Sequence, residues 1–181
     1  SAASDVYKRQ IGNSDYNEKT EQVSIKVYSP STYTGIVYVS TNGDDSNDGS
    51  VDSPKLTIKK AVAQALKEGG SHQIIVLDGR YYVNDVIINS YLNITGQGNV
   101  IFDGRGLGRI FNITNGDVII KNIIFTNGKS TTGGAIYNIA NLTLINDTFI
   151  DNTANTGGAI TTSSITIINS TFKNNQATSG N

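Results

Sequence analysis

Apolar residues in the second half of the chain come in short runs, alternate with polar ones, and return at a nearly constant interval. Residues 118–136 read VIIKNIIFTNGKSTTGGAI, residues 142–160 read LTLINDTFIDNTANTGGAI, and residues 165–180 read ITIINSTFKNNQATSG. Val118 to Leu142 is a step of 24, and Leu142 to Ile165 a step of 23. A repeat of this length, with strand-like runs separated by Asn, Asp and Gly, predicts a solenoid in which each copy is one coil stacked on the last. Side chains alternate in and out along a strand. Ile120, Leu144 and Ile167 therefore form one inward column, Ile136 and Ile160 another, and Phe125, Phe149 and Phe172 a third.

The repeat continues upstream in a less regular form. Asp78-Gly79-Arg80 and Asp103-Gly104-Arg105 lie 25 apart, and Asn127-Gly128-Lys129, Asp151-Asn152-Thr153 and Asn174-Asn175-Gln176 follow at steps of 24, 24 and 23. This alignment puts Val76 and Ile101 at the head of the phenylalanine column. It also asks a left-handed backbone of the second residue in each turn, because Gly and Asn tolerate φ > 0. Gly133-Gly134 and Gly157-Gly158 mark a second corner. Successive strands pair in parallel about 4.8 Å apart, so five coils rise roughly 24 Å. Crossovers between parallel strands are right-handed. The expected fold is all-β, a right-handed parallel β-helix.

Residues 57–68 break the β pattern. Ile58, Ala61, Val62, Ala65 and Leu66 fall on one face at helical spacing, with Lys59, Lys60, Gln64, Lys67 and Glu68 mostly opposite. Thr57 is placed to cap the helix, Leu56 to staple against Ala61, and Gly69-Gly70 to end it. A single amphipathic helix before a solenoid is expected to cover the open apolar end of the stack. The expected organisation is a cap at residues 36–72 and coils at residues 73–181, the last coil breaking off in its Gly-Gly pair. Residues 11–35 read as a linker or the end of a preceding domain, with an alternating strand at residues 23–28. Residues 1–10 are set aside as an assembly artefact or tail, since residues 5–10 match one translated frame of a sequencing-library transposon end.

Composition narrows the function classes. Hydrophobic content is 37% and charged content 16%, with 19 glycines, which suits stacked polar turns around a narrow core. A net charge of −1 offers no basic field for nucleic acid. No apolar run approaches the roughly 18 residues that would span a bilayer. The absence of cysteine removes disulfides and thiolate chemistry.

Candidate chemistry is sparse. Asp44, Ser46, Asp48 and Gly49 match the start of an EF-hand loop, but Lys55 stands where the bidentate Glu belongs. A looser calcium site from Asp44, Asp45 and Asp48 is one expectation, and a loop whose Asx side chains bond their own backbone is the other. For an enzyme, the best residues are Asp78, Arg80, Asp103 and Arg105 on neighbouring coils, with Lys129 one coil on; their alternative role is a surface ladder of ion pairs. Tyr81, Tyr82 and Tyr91 suit stacking on sugars, or packing. His72, the one histidine, has no nucleophile near it in sequence and reads as a loop residue. Five N-x-[ST] sequons begin at Asn93, Asn112, Asn141, Asn146 and Asn169.

Gly133-Gly134-Ala135-Ile136 and Gly157-Gly158-Ala159-Ile160, together with Phe149-Ile150-Asp151-Asn152 and Phe172-Lys173-Asn174-Asn175, resemble the GGA(I/L/V) and FxxN repeats of polymorphic outer-membrane-protein type surface proteins. The entry segment, from Tyr38-Val39-Ser40 through Asn47-Asp48-Gly49 to Thr57-Ile58-Lys59-Lys60-Ala61, is similar to the capping region of pectin-lyase-like β-helices. The combination resembles the adhesin-like surface proteins of methanogenic archaea. The resemblance implies an extracellular, cell-surface protein, an adhesin or envelope stalk that binds glycans or other cells without catalysis. The alternative it implies is a polysaccharide lyase or glycoside hydrolase.

Overall fold

The computed structural model describes residues 35–67 and 70–179 of the 181-residue chain. The expected tail at residues 1–10 and strand at residues 23–28 lie outside them. The elements in order are β1 (Ile36–Val39), α1 (Ile58–Ala65), β2 (Gln73–Val76), β3 (Gly79–Tyr82), β4 (Val86–Ile88), β5 (Leu92–Gly96), β6 (Val100–Asp103), β7 (Phe111–Ile113), β8 (Asp117–Lys121), β9 (Ile124–Thr126), β10 (Lys129–Thr132), β11 (Ile136–Ile145), β12 (Thr148–Ile150), β13 (Thr153–Thr156), β14 (Ile160–Ile168), β15 (Thr171–Lys173) and β16 (Gln176–Ala177). Their parallel pairing makes a β-solenoid of about four turns. The first sheet runs β1-β2-β5-β8-β11-β14, with β4 and β7 joining through the first half of β11. The second runs β3-β6-β9-β12-β15 and the third β10-β13-β16.

In the regular coils the register is the one the repeat predicts. Val118 lies opposite Leu142 and Leu142 opposite Ile165; Ile120, Leu144 and Ile167 share a column, as do Ile136 and Ile160. Phe125, Phe149 and Phe172 stack face to face, with centroids 4.6 Å and 4.9 Å apart. Upstream the column differs from expectation. Its first members are Tyr81 and Phe102, not Val76 and Ile101. Val76 sits opposite Gly96 in the first sheet, and Ile101 lies opposite Arg80 and Ile124. The cause is an uneven coil length: Gln73 pairs with Asn93, only 20 residues on, and Asn93 with Ile119, 26 residues on. A slip of one residue exchanges inside for outside. The upper rings pack edge to face, Phe102 meeting Tyr81, Phe111 and Phe125.

The same slip undoes the expected Asp-Gly-Arg column. Gly79 opens β3 opposite Val100, whereas Asp103 closes β6 opposite Tyr82. The two triplets occupy opposite ends of neighbouring strands.

The left-handed corner misses the second residue of these turns: it falls one residue later than expected at Arg105 and one residue earlier at Asn127, Asp151 and Asn174, all with φ between 53° and 56°. The residues that follow the last three, Gly128, Asn152 and Asn175, turn inward instead. Asn152 is fully buried. Its Nδ2 donates to the carbonyls of Phe125 and Ile150 and to Asn175 Oδ1, and its Oδ1 accepts from the N–H of Gly128. Asn175 repeats the pattern one coil on, donating to the Phe149 carbonyl and accepting from the N–H of Asn152. One side chain thus satisfies backbone groups of two coils where the corner takes them out of the strand ladder.

At the entry, Thr57 caps α1 as expected, its hydroxyl accepting from the N–H of Lys60. Ile58, Ala61, Val62 and Ala65 are buried, and the helix packs on β1, β2 and β4. It ends at Ala65, three residues before the expected Glu68. The N–H of His72 then takes the Ala65 carbonyl. Leu56 is 42% exposed; the carboxylate of Asp45 organises this end by accepting from the N–H groups of Leu56 and Thr57 and from the Thr57 hydroxyl.

Candidate functional site

The corner that joins the second and third sheets presents its left-handed residues outward, one per coil. Between them lies a polar groove of about 330 Å³, lined by Asp103, Arg105, Gly106, Asn127, Gly128, Lys129, Asp151 and Thr153. The loop of residues 104–108 forms one wall. It is held by the Gly106 N–H on the Asn127 carbonyl and by the Lys129 N–H on the Gly108 carbonyl. Its tip, Leu107, is 74% exposed.

Of the residues the sequence offered for catalysis, the structure brings four together, Arg80, Asp103, Arg105 and, along the same groove, Lys129. Arg80 makes an ion pair with Asp103 of the next coil. Arg105 leaves that pair and lies over the ring of Tyr82, 4.6 Å from its centroid. Asp78 is elsewhere: at the far end of β3, it accepts from the Asn99 N–H. Asp103 is nearly buried and fully engaged, accepting from the Arg105 N–H, the Asn127 amide and Arg80. Burial works against its charge, but the bonds from Asn127, Arg105 and Arg80 outweigh it and hold the carboxyl below its ordinary value. A carboxylate so held is ionised near neutrality and is a poor proton donor. Asn127, Asp151 and Thr153 line the groove and were read from sequence only as repeat turns; the regular column that placed them was also the signal that they share a face.

The three tyrosines separate. Tyr81 is 5% exposed, and its hydroxyl donates to the Leu77 carbonyl. Burial, helped by the nearby charge of Asp78 and opposed by a bond from the Thr41 backbone, pushes its pKa up to about 12. It is a core ring. Tyr82, 63% exposed, stands beside the groove. Tyr91 lies in a different sheet region, its ring 6.0 Å from that of His72, whose Nδ1 bonds the Tyr91 carbonyl. Among the sequons, Asn93 and Asn112 have their Oδ1 atoms buried, whereas Asn141, Asn146 and Asn169 are exposed.

The Asp44, Asp45 and Asp48 loop is organised by hydrogen bonds of its own. Asp44 accepts from the N–H and hydroxyl of Ser46, Asp48 from the N–H of Ser50, and Asp45 caps the helix. Those bonds, from Ser46 and Ser50 respectively, lower the Asp44 and Asp48 pKa values. Lys55, the residue that breaks the EF-hand match, is 8% exposed and donates to the carbonyls of Asp45 and Asn47. Its ammonium sits where this loop's carbonyls converge. Among the described residues no three of His, Cys, Asp and Glu cluster in a metal-holding arrangement, and no helix is long and apolar enough to cross a membrane.

One titratable group lies apart from the groove. Asp147 follows the left-handed Asn146 at the corner between the first and second sheets and is 1% exposed. Its carboxylate accepts from the N–H groups of Ile123 and Ile145. Burial pushes its pKa up to about 6 in spite of those bonds. Because the folded value lies above the ordinary one, the ionised side chain weakens the fold above pH 6, and that cost disappears as pH falls from 6 to 4. Urea unfolding is expected to show stability rising by on the order of 2 kcal/mol over that fall, and Asp147→Asn should flatten the slope.

A second concavity, of about 560 Å³, lies at the end of the last coil among Ile160, Ile165, Ile167, Phe172 and Asn175. Comparison with family models, with curated proteins and with solved structures gives no match, so the parallel β-solenoid is established by this structure alone.

Proposed function

We propose that this chain is a non-catalytic β-solenoid of the cell surface, an adhesin-like protein or envelope stalk, and that its corner groove binds glycan. The observation that carries the reading is the division of labour in the groove. Asp103 and Arg80 are consumed by each other and by the corner, while Tyr82, Arg105, Lys129 and Asp151 stay exposed. An aromatic face beside planar hydrogen-bonding groups and charges of both signs suits a sugar's apolar faces and hydroxyls. Catalysis by paired carboxylates requires one that gives and takes a proton, and Asp103 is held ionised. The repeats that resemble polymorphic outer-membrane-protein type surface proteins, and the entry segment similar to pectin-lyase-like caps, favour an extracellular setting.

The test is a glycan array followed by titration of the best ligand. The double variant Arg105→Ala/Lys129→Ala should weaken binding about tenfold and leave thermal unfolding within a degree or so, since exposed pairs stabilise little. Chelation of divalent cations should leave binding unchanged. An absorbance from unsaturated uronides, or shortened chains, that Arg105→Ala abolishes would establish the lyase or hydrolase alternative instead. An array without hits would leave a spacer.

A further inference from the structure

The sequence holds three Asn-Gly pairs, Asn42-Gly43, Asn115-Gly116 and Asn127-Gly128, and all three asparagines are exposed. An asparagine before a glycine has a chemistry of its own. With no Cβ on the following residue, that residue's backbone nitrogen can approach the asparagine's amide carbon closely. A hydrogen bond from the glycine N–H resists such an approach twice. It holds the proton that must leave, and it fixes the peptide plane that must turn.

The fold ties down two of the pairs. The Gly43 N–H donates to the Ser40 carbonyl, and the Asn42 N–H to the Ser40 hydroxyl. Gly128 is buried, and its N–H donates to Asn152 Oδ1. Asn127 donates through Nδ2 to Asp103 and accepts the Gly106 N–H at its carbonyl. The third pair sits in the turn between β7 and β8. Gly116 has φ 91°, and its α-carbon abuts the Ser90–Tyr91 backbone. Among the described residues, however, nothing accepts from its N–H and nothing bonds the Asn115 side chain. Both groups are left to water.

We propose that Asn115 is a site of covalent self-modification, where a succinimide forms with Gly116 and opens to aspartate or isoaspartate in the folded protein. The Gly116 N–H gives its proton to hydroxide, and the nitrogen attacks Asn115 Cγ. The N–Cγ bond forms, the Cγ–Nδ2 bond breaks, and Nδ2 takes a proton from water and leaves as ammonia. Water then opens the ring. Attack at the side-chain carbonyl gives aspartate; attack at the backbone carbonyl gives isoaspartate, with the main chain running through Cβ and Cγ. No electrons are exchanged. The product places a new carboxylate beside β8, which is paired on both edges and whose Asp117 accepts from the Asn141 amide.

The experiment incubates the folded 181-residue chain in mildly alkaline buffer. Peptide masses, with chromatographic separation of the aspartyl and isoaspartyl forms, follow all three pairs. Position 115 should convert roughly tenfold or more faster than positions 42 and 127, where a protecting bond must open first. In denaturing urea the three rates should converge, because those bonds are gone. Asn115→Gln should abolish the product, since the longer side chain does not close a five-membered ring. The proposal is overturned if position 115 converts no faster than the other two in the folded chain. It is also overturned if the ranking persists in urea, which would assign it to neighbouring residues and not to the fold. A mass gain that survives in Asn115→Gln would overturn it as well, by placing the reaction at another amide.

Discussion

Asn152→Ala is expected to lower the unfolding free energy by about 3–4 kcal/mol, measured by urea denaturation. The substitution removes an acceptor from the N–H of Gly128 and a donor from the carbonyl of Phe125, both in the interior. Each buried polar group left unpaired costs about 1–3 kcal/mol, and the fully buried site gives water no easy entry. Asn152→Asp keeps the shape but turns the donor into an acceptor facing the Phe125 and Ile150 carbonyls. It is expected to be at least as damaging at neutral pH and to recover as the acid protonates. Asn175→Ala is the comparison, because its amide makes similar bonds at the exposed end. A loss of about 1 kcal/mol there would fit. Equal losses at the two positions would show that the buried ladder is not what holds this corner.

Gly134→Ala is expected to be as severe, at about 3 kcal/mol or more. A Cβ on Gly134 would be driven into the carbonyls of Gly158 and Thr153, which belong to the neighbouring coil. Both sides of that contact are backbone held by strand pairing at roughly 4.8 Å spacing, so neither yields. Gly106→Ala separates close approach from backbone angle. Gly106 has φ 67° but nothing within 4 Å of its would-be Cβ, so alanine there costs only the left-handed strain, roughly 1–2 kcal/mol. Thermal unfolding of the two variants side by side checks the difference; similar losses would mean that close approach contributes nothing at the Gly-Gly corner.

These two residues also explain why the repeat is written as it is. In each regular coil one Gly of the Gly-Gly pair turns left-handed and the other lets the next coil approach. In each Asn-Asn or Asp-Asn pair the first residue turns left-handed and the second ties the coils together from inside. From sequence alone both members of an Asn pair qualify for the left-handed position, because Asn tolerates it and also hydrogen-bonds locally. Which of the two faces inward depends on the coil stacked beneath.

The candidate site was legible in part for the same reason. Asp103, Arg105 and Lys129 were found because they sit in turns with a recognisable pattern, and the groove holds all three. Asp78 was drawn into the same column by a matching triplet, yet the shorter coil that contains it puts that triplet at the other end of the strand. The burial of Tyr81 and the exposure of Tyr82 follow from that register, since adjacent strand residues point to opposite faces.

By itself the sequence determined what periodicity can determine. A step of 24 then 23 residues, apolar positions at fixed phase, and Gly or Asn at fixed corners are enough to require parallel coils in one register, and an amphipathic segment with a threonine before it is enough to make a capping helix. Only the tertiary structure decided the rest: which residue of each turn enters the core, how the uneven early coils align, that Lys55 sits where the entry loop's carbonyls converge, and that Asp103 is bound on three sides. Each of these depends on a partner 20 or more residues away or on backbone folded back across a loop, where a shift of one residue exchanges core for surface.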